Sequence, residues 1–297
     1  MQAYRTPHGV VFSALARHDI LGEVEVPCGQ CIGCRLRRRR DWAIRMVHEA
    51  QLHERNSFIT LTYEDGQLPH ERLPGVPYMS LTYVDFQKFI RAFRKATRTK
   101  VRFFMCGEYG EETKRPHYHA CLFGWEPEDR KYHGKSGAGE RMYVSPTLQK
   151  LWAFGHSTVQ QFNLATAGYT AGYVVDKVTG DAAESHYRAV DSDGVVHNRM
   201  PEFSRCSLRP GIGARWFERY GSDVFPHDYA VADGMIHSVP KYYDRLAKRL
   251  AGVDWDDVEF ARYKKARDSV PEQTDERREV REKVAKAKIQ FQRRSGV

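Results

Sequence analysis

Pro116-His117-Tyr118-His119-Ala120-Cys121-Leu122-Phe123 places two imidazoles one residue apart in an otherwise apolar run. In an extended strand successive side chains point to opposite faces, so His117 and His119 share one face while Tyr118, Ala120 and Leu122 pack on the other. Such a strand is predicted to pair as an antiparallel hairpin with Val101 to Gly107, across the polar connection Glu108 to Pro116. Outward from this hairpin, Ser57 to Tyr63 reads as a further strand. Thr82 with Asp85 three residues on resembles a capping box, and Phe86, Phe89, Ile90 and Phe93 give the helix behind it one apolar face. Ser145 before Pro146 opens a short helix expected to stop at Gly155, His156 to Phe162 is β-like, and Ala165 to about Lys177 has helical spacing. The order β-α-β-β-α-β-α matches a ferredoxin-like, split βαβ arrangement of the α+β class. Its antiparallel sheet is expected to carry helices on one face and leave the other open for a ligand, with helical and loop extensions around it. Upstream, residues 1–27 hold short β-prone stretches such as Val10-Val11-Phe12, and a helix from Asp41 to about Glu54 is expected to follow the basic run Arg35 to Arg40. Four segments result: a cysteine-rich, basic extension (1–55), the core (56–180), an accessory segment packed on it (181–250) and a basic helical or partly disordered tail (251–297).

The 297 residues are 41% hydrophobic, enough to build a core, and carry 47 Lys and Arg against 38 Asp and Glu. The resulting charge of +9 and a pI near 9.2 favour a polyanionic partner, nucleic acid first. No apolar run approaches the roughly 20 residues that span a bilayer, and Met1 to His8 has no signal-like apolar segment, so no membrane partner is expected. Of six cysteines, Cys28, Cys31 and Cys34 cluster while Cys106, Cys121 and Cys206 scatter, unlike a disulfide framework; a reducing cytoplasm is the expected compartment.

Several side chains carry candidate chemistry. Residues four apart share a helix face, so Tyr169 and Tyr173 present two phenols with Lys177 one turn beyond. Cys28-x2-Cys31-x2-Cys34 sets three thiolates within reach of one Zn²⁺, the fourth ligand to come from His48, His53 or a distant cysteine. The alternatives are a reduced turn shaped by Gly29 and Gly33, or an iron–sulfur cluster. Arg35, Arg37, Arg38, Arg39 and Arg40 form a phosphate-binding candidate. Each feature also has a plainer reading: histidines packed in a core, tyrosines as an apolar stripe with polar tips, arginines as a solvated face. The Pro210-Gly211-Ile212-Gly213 loop reads equally as a phosphate approach or a helix-entry turn.

Together, the His117-Tyr118-His119 triplet, the strand Phe58-Ile59-Thr60-Leu61-Thr62-Tyr63 and Tyr169-x3-Tyr173-x3-Lys177 resemble the three motifs of HUH-type rolling-circle replication initiators. Pro27-Cys28-Gly29-Gln30-Cys31-Ile32-Gly33-Cys34-Arg35, Gly107-Glu108-Tyr109-Gly110, Pro210 to Gly213 and Pro240-Lys241-Tyr242-Tyr243 look like the replication initiators of microviruses, in their gokushovirus branch. The resemblance implies a nicking enzyme of the bacterial host's cytoplasm that acts on single-stranded DNA at a replication origin. It implies a Mg²⁺ or Mn²⁺ ion held by His117, His119 and Glu108, and attack by Tyr169 or Tyr173 to give a 5′-phosphotyrosine and a free 3′-hydroxyl. Lys177 would steady the scissile phosphate, and a host helicase and polymerase would be partners. Two competing readings stay open: a relaxase or transposase of the same superfamily, though no Gly-rich P-loop marks a helicase segment, and a noncatalytic zinc-containing DNA-binding regulator.

Overall fold

The computed structural model describes residues 1–13, 15, 19–249 and 254–294, with 173–176 and 291–294 described by their backbone alone. Three short strands, β1 (Gln2–Thr6), β2 (Gly9–Val11) and β3 (Gly22–Glu25), make a small sheet ahead of helix α1 (Ile32–Ala50). Then come β4 (Asn56–Tyr63), the single turn α2 (Pro69–Arg72), α3 (Tyr83–Thr97), the hairpin β5 (Arg102–Tyr109) and β6 (Pro116–Phe123), a second hairpin β7 (Lys131–Lys135) and β8 (Arg141–Val144), α4 (Pro146–Leu151), β9 (Gly155–Gln161) and α5 (Leu164–Asp176). Beyond α5 lie α6 (Ala182–Tyr187), β10 (Arg188–Val190), β11 (Val196–Asn198), β12 (Phe203–Cys206), α7 (Ala214–Tyr220), β13 (Ala230–Ala232), β14 (Met235–His237), α8 (Lys241–Ala247), α9 (Trp255–Asp268) and α10 (Asp275–Arg294).

A seven-stranded antiparallel sheet in the order β12-β5-β6-β4-β9-β8-β7 organises these elements. Its centre, β5-β6-β4-β9, is the split βαβ order expected from the sequence: β6 lies between β4 and β5 and runs opposite to both. On one face α3 and α4 bury Phe86, Phe89, Phe93, Leu148 and Trp152 against Ile59, Leu61, Tyr118, Ala120 and Leu122. Each fully buried side chain of this size is worth about 1.5–3 kcal/mol. Thr82 caps α3 by accepting from the Val84 N–H at 3.3 Å. Asp85 does not complete the expected capping box. It is fully buried and accepts from the Tyr63 hydroxyl (2.8 Å) and Arg72 (2.5 Å), because a buried carboxylate is better satisfied by a guanidinium than by one backbone N–H.

The other face is not open, contrary to the sequence-based expectation. Helices α1 and α5 cover it, with Ala43, Met46, Ala50, Ala167 and Ala171 packed on Phe58, Phe104, Cys121 and Phe123. The small residues of α5 let α1 come close enough for Arg39 Nε to donate to the Gly168 carbonyl at 2.8 Å. Helix α1 also begins earlier than its apolar spacing predicts, and the arginine run lies inside it. Arginine is a good helix former, and Arg35 anchors this first stretch by donating to the Lys177 carbonyl (2.9 Å) and to Thr179 Oγ1 (2.8 Å). Helix α4 ends at Leu151, before Gly155, which instead opens β9 at φ +153°, where a Cβ would strike the backbone of Thr62 and Glu64.

The Pro210–Gly213 loop clasps α1. Ile212 is buried, its carbonyl accepts from Arg45 at 3.0 Å, and the Gly213 N–H donates to Glu49 at 2.7 Å. The helix-entry reading therefore holds for this loop. Helices α7, α8 and α9 close over a second core of Trp216, Phe217, Phe225, Tyr243 and Val258. The tail is helical through Arg294, with Arg262 joining α9 to Asp228 (2.6 Å) and Asp244 (2.8 Å). No helix among the described residues is long and apolar enough to cross a membrane.

Candidate active site

Strand register assembles the site. On the face beneath α5, His117 lies between Glu108 on β5 and Thr62 on β4, and His119 lies between Cys106 and Thr60. One ligand atom from each of Glu108, His117 and His119 falls within 4.8 Å of the others, with His119 Nε2 3.9 Å from Glu108 Oε2. The remaining ring nitrogens are engaged. His117 Nδ1 sits 3.1 Å from the Arg115 carbonyl, an acceptor only, so Nδ1 carries the proton and the Nε2 lone pair is left for a ligand. His119 Nδ1 lies 2.9 Å from Thr60 Oγ1, which settles that ring the same way if its Nε2 takes a ligand. Phe58 stacks on His119 with centroids 5.5 Å apart.

Electrostatics favour neutral imidazoles. Burial lowers the pKa of His117, and burial together with the neighbouring His117 lowers that of His119 well below the ordinary value. Neutral imidazole is the form that ligates a cation. Burial and the Glu108 carboxylate push the Cys106 thiol well up, keeping it protonated to donate to Glu108 Oε1 at 2.8 Å.

Helix α5 delivers Tyr169. Its first turn is tied by a reciprocal pair, Asn163 N–H to Thr166 Oγ1 (2.9 Å) and Thr166 N–H to Asn163 Oδ1 (2.8 Å), which starts the helix one residue before the predicted Ala165. The Tyr169 hydroxyl ends 3.4 Å from His119 Nε2, and the residue is 41% exposed, open to an incoming strand. Tyr173 follows one turn later on the same helix; its side chain lies outside the described residues. Lys177 stands just past the helix end and lines a shallow depression with Gln30, Arg35, Arg38, Thr179 and Arg205.

Cys28, Cys31 and Cys34 converge, with one sulfur from each within 4.8 Å of the others. The Cys31 N–H donates to Cys28 Sγ at 3.2 Å, and backbone N–H groups of this kind bring the Cys28 thiol down to about 6. The fourth ligand expected from His48, His53 or a distant cysteine is absent among the described residues. His48 is locked between the Tyr243 hydroxyl and the Val231 carbonyl at 2.9 Å each, and His53 turns to Glu49 at 3.5 Å. Cys106 and Cys121 are buried within the sheet, and Cys206 sits on its edge strand. Of the arginines, Arg35 and Arg39 brace α5 and the segment after it, Arg40 faces Asp41 at 3.9 Å, and Arg37 and Arg38 line a cleft between α1 and α8. Sequence reasoning missed Cys106 and the Asn163–Thr166 pair, and weighed Thr60 only as a DNA-facing residue; the Asn-x2-Thr spacing before α5 was the one signal available.

The family model described as replication-associated protein ORF2 matches residues 56–178, from β4 to just beyond α5. Replication-associated protein VP4 of Bdellovibrio phage phiMH2K is 32% identical over 248 residues, which is 83% of this chain and 75% of that protein. Replication-associated protein ORF2 of Spiroplasma virus 4 is 31% identical over 292 residues, covering 94% of this chain and 81% of the relative. Replication-associated protein ORF4 of Chlamydia phage 1 is 28% identical over 242 residues, covering 77% and 55%. No solved structure matches. The matched span contains the histidine strand, its β4 partner and the tyrosine helix, and the longer alignments take in the elements packed around them: the chain belongs to the replication-associated proteins of microvirus-like phages.

Proposed function

We propose that this protein starts phage genome replication by nicking single-stranded DNA at the origin, with Tyr169 or Tyr173 as nucleophile. The observation that carries this reading is the Tyr169 hydroxyl 3.4 Å from His119 Nε2, beside Glu108 and His117. Two neutral imidazoles and a carboxylate fit Mg²⁺ or Mn²⁺, which when held by His117, His119 and Glu108 offsets the phosphate charge and polarises its phosphorus. The phenol oxygen bonds to phosphorus, the bond from phosphorus to the 3′ oxygen breaks, and the phenol proton ends on that departing oxygen. One phosphoester replaces another, no water is consumed, and the 3′-hydroxyl can later attack the phosphotyrosine and reseal the strand. Thr60 and the Arg115 carbonyl hold the imidazoles in place.

Tyr173, one helical turn from Tyr169, serves as the nucleophile of a second cleavage, and Lys177 steadies a phosphate approaching the end of α5. The freed 3′ end primes a host polymerase, with a host helicase opening the duplex, in the cytoplasm of the bacterial host. The three clustered thiols hold a structural Zn²⁺ whose fourth ligand is not a histidine, cysteine or carboxylate of the described residues. Covalent capture tests the central claim. A pool of single-stranded oligonucleotides covering the origin, with Mg²⁺ or Mn²⁺, should give a denaturant-stable adduct that chelation abolishes and Tyr169→Phe/Tyr173→Phe removes. Affinity for DNA with no adduct would make the protein a noncatalytic DNA-binding regulator.

A further inference from the structure

The cleft between α1 and α8 holds a cationic cluster that the nicking site does not use. Its volume is about 440 Å³, and Arg37, Arg38, Arg45, Lys241 and Arg245 line it against a single carboxylate, Asp41. Asp41 faces Arg40, outside the cleft, at 3.9 Å, and accepts the Lys241 backbone N–H at 3.4 Å. Arg45 is the informative member. It is 8% exposed, its guanidinium lies flat between Trp42 (3.8 Å) and Tyr242 (3.9 Å), and its one hydrogen bond among the described residues goes to the neutral Ile212 carbonyl. Buried charges in folded proteins are paired, and among the described residues this guanidinium has no ion pair. The aromatic faces that hold Arg45 are taken up by it, so the cleft offers cationic edges to an anion instead of a stacking platform for a base.

We infer that this cleft binds the phosphodiester backbone of single-stranded DNA flanking the nick, supplying the missing counter-charge to Arg45. A route to it exists. Gly29 and Arg38 line both the cleft and the depression that contains Lys177, so a strand leaving the end of α5 passes Arg35 and Arg38 into the cleft. Recognition through phosphates alone is sequence-independent and matches a strand whose sequence changes as it is paid out. The inference rests on the proposed function only in taking the partner to be single-stranded DNA.

The test uses full-length protein carrying Tyr169→Phe/Tyr173→Phe, with chelator present, and a 30-nucleotide single strand read by fluorescence anisotropy across a salt series. Lys241→Gln/Arg245→Gln is the cleft variant, since both side chains are exposed and neither belongs to the buried core. Loss of two phosphate contacts should lower the salt slope by about 1.4 and weaken binding about 25-fold at 0.1 M salt. A parallel assay on the tyrosine-intact protein measures adduct formation with a short oligonucleotide confined to the nick; the cleft variant should retain it. Unchanged affinity and slope would overturn the inference, as would suppression of the 30-nucleotide binding by equimolar pyrophosphate, which would make the cleft a site for free polyphosphate. Absence of any adduct in the tyrosine-intact protein, with the slope change present, would sink the nicking reading and leave the cleft standing.

Discussion

Thr60→Val isolates the role assigned to strand register. Valine fills nearly the same volume and is a better strand former than most replacements, so the sheet is retained; the change removes only the hydroxyl 2.9 Å from His119 Nδ1. His119 is 7% exposed, so solvent cannot replace that partner. Two consequences follow. A buried ring nitrogen left unsatisfied costs about 1–3 kcal/mol of stability. The ring also loses the interaction that keeps its proton on Nδ1, and outer partners of this kind are worth about 10–100-fold in metal affinity. Calorimetric titration with Mn²⁺ should therefore show Kd raised about 10–100-fold in Thr60→Val. Thr62→Val is the matched control: its hydroxyl donates to the His156 carbonyl at 3.3 Å, and no ring nitrogen depends on it. Equal Mn²⁺ affinities for Thr60→Val and wild type, with the control also unchanged, would refute the assignment of Thr60 as the positioning residue and with it the inferred His119 tautomer.

Further outcomes are expected. Glu49→Ala removes the acceptor of both Arg102 (2.5 Å) and the Gly213 N–H (2.7 Å) at a carboxylate 1% exposed, and should cost about 3–5 kcal/mol in urea unfolding. Burial holds the His48 pKa near 4 against 6.5 for the free side chain. The unfolded chain thus binds the extra proton first, so stability is full above pH 6.5 and falls by about 3 kcal/mol as pH drops toward 4, measurable as a falling Tm that His48→Gln would flatten. Gly213 has φ +78° and a Cβ there would lie 2.6 Å from the Tyr243 hydroxyl, so Gly213→Ala should lower Tm steeply while Gly66→Ala, at φ +79° with open space around it, should cost far less. Metal analysis of the purified protein should find one zinc per chain, lost in Cys31→Ser; a metal-free wild type would return the cysteines to a reduced turn.

Much of this protein is legible in its chain. The alternation of His117-Tyr118-His119 with apolar neighbours, the four-residue step from Tyr169 to Tyr173 and the order of strands and helices identify the α+β sheet and its pairing, because period-two and period-3.6 patterns are local properties that need no partner to be recognised. What lies opposite those residues is not local. Register alone brought Thr60 to His119 and Glu108 to His117. Close packing of α1 on α5, permitted by Ala167, Ala171 and two glycines, closed a sheet face that strand order leaves open. The arginine run illustrates the same division: its charge is evident from composition, yet only the helix phase of α1 decided that Arg35 and Arg39 turn inward to carbonyls of α5 and its exit while Arg37 and Arg38 turn to the cleft. Sequence periodicity determines which side chains share a face; tertiary contact, made between residues far apart in the chain, determines what that face meets.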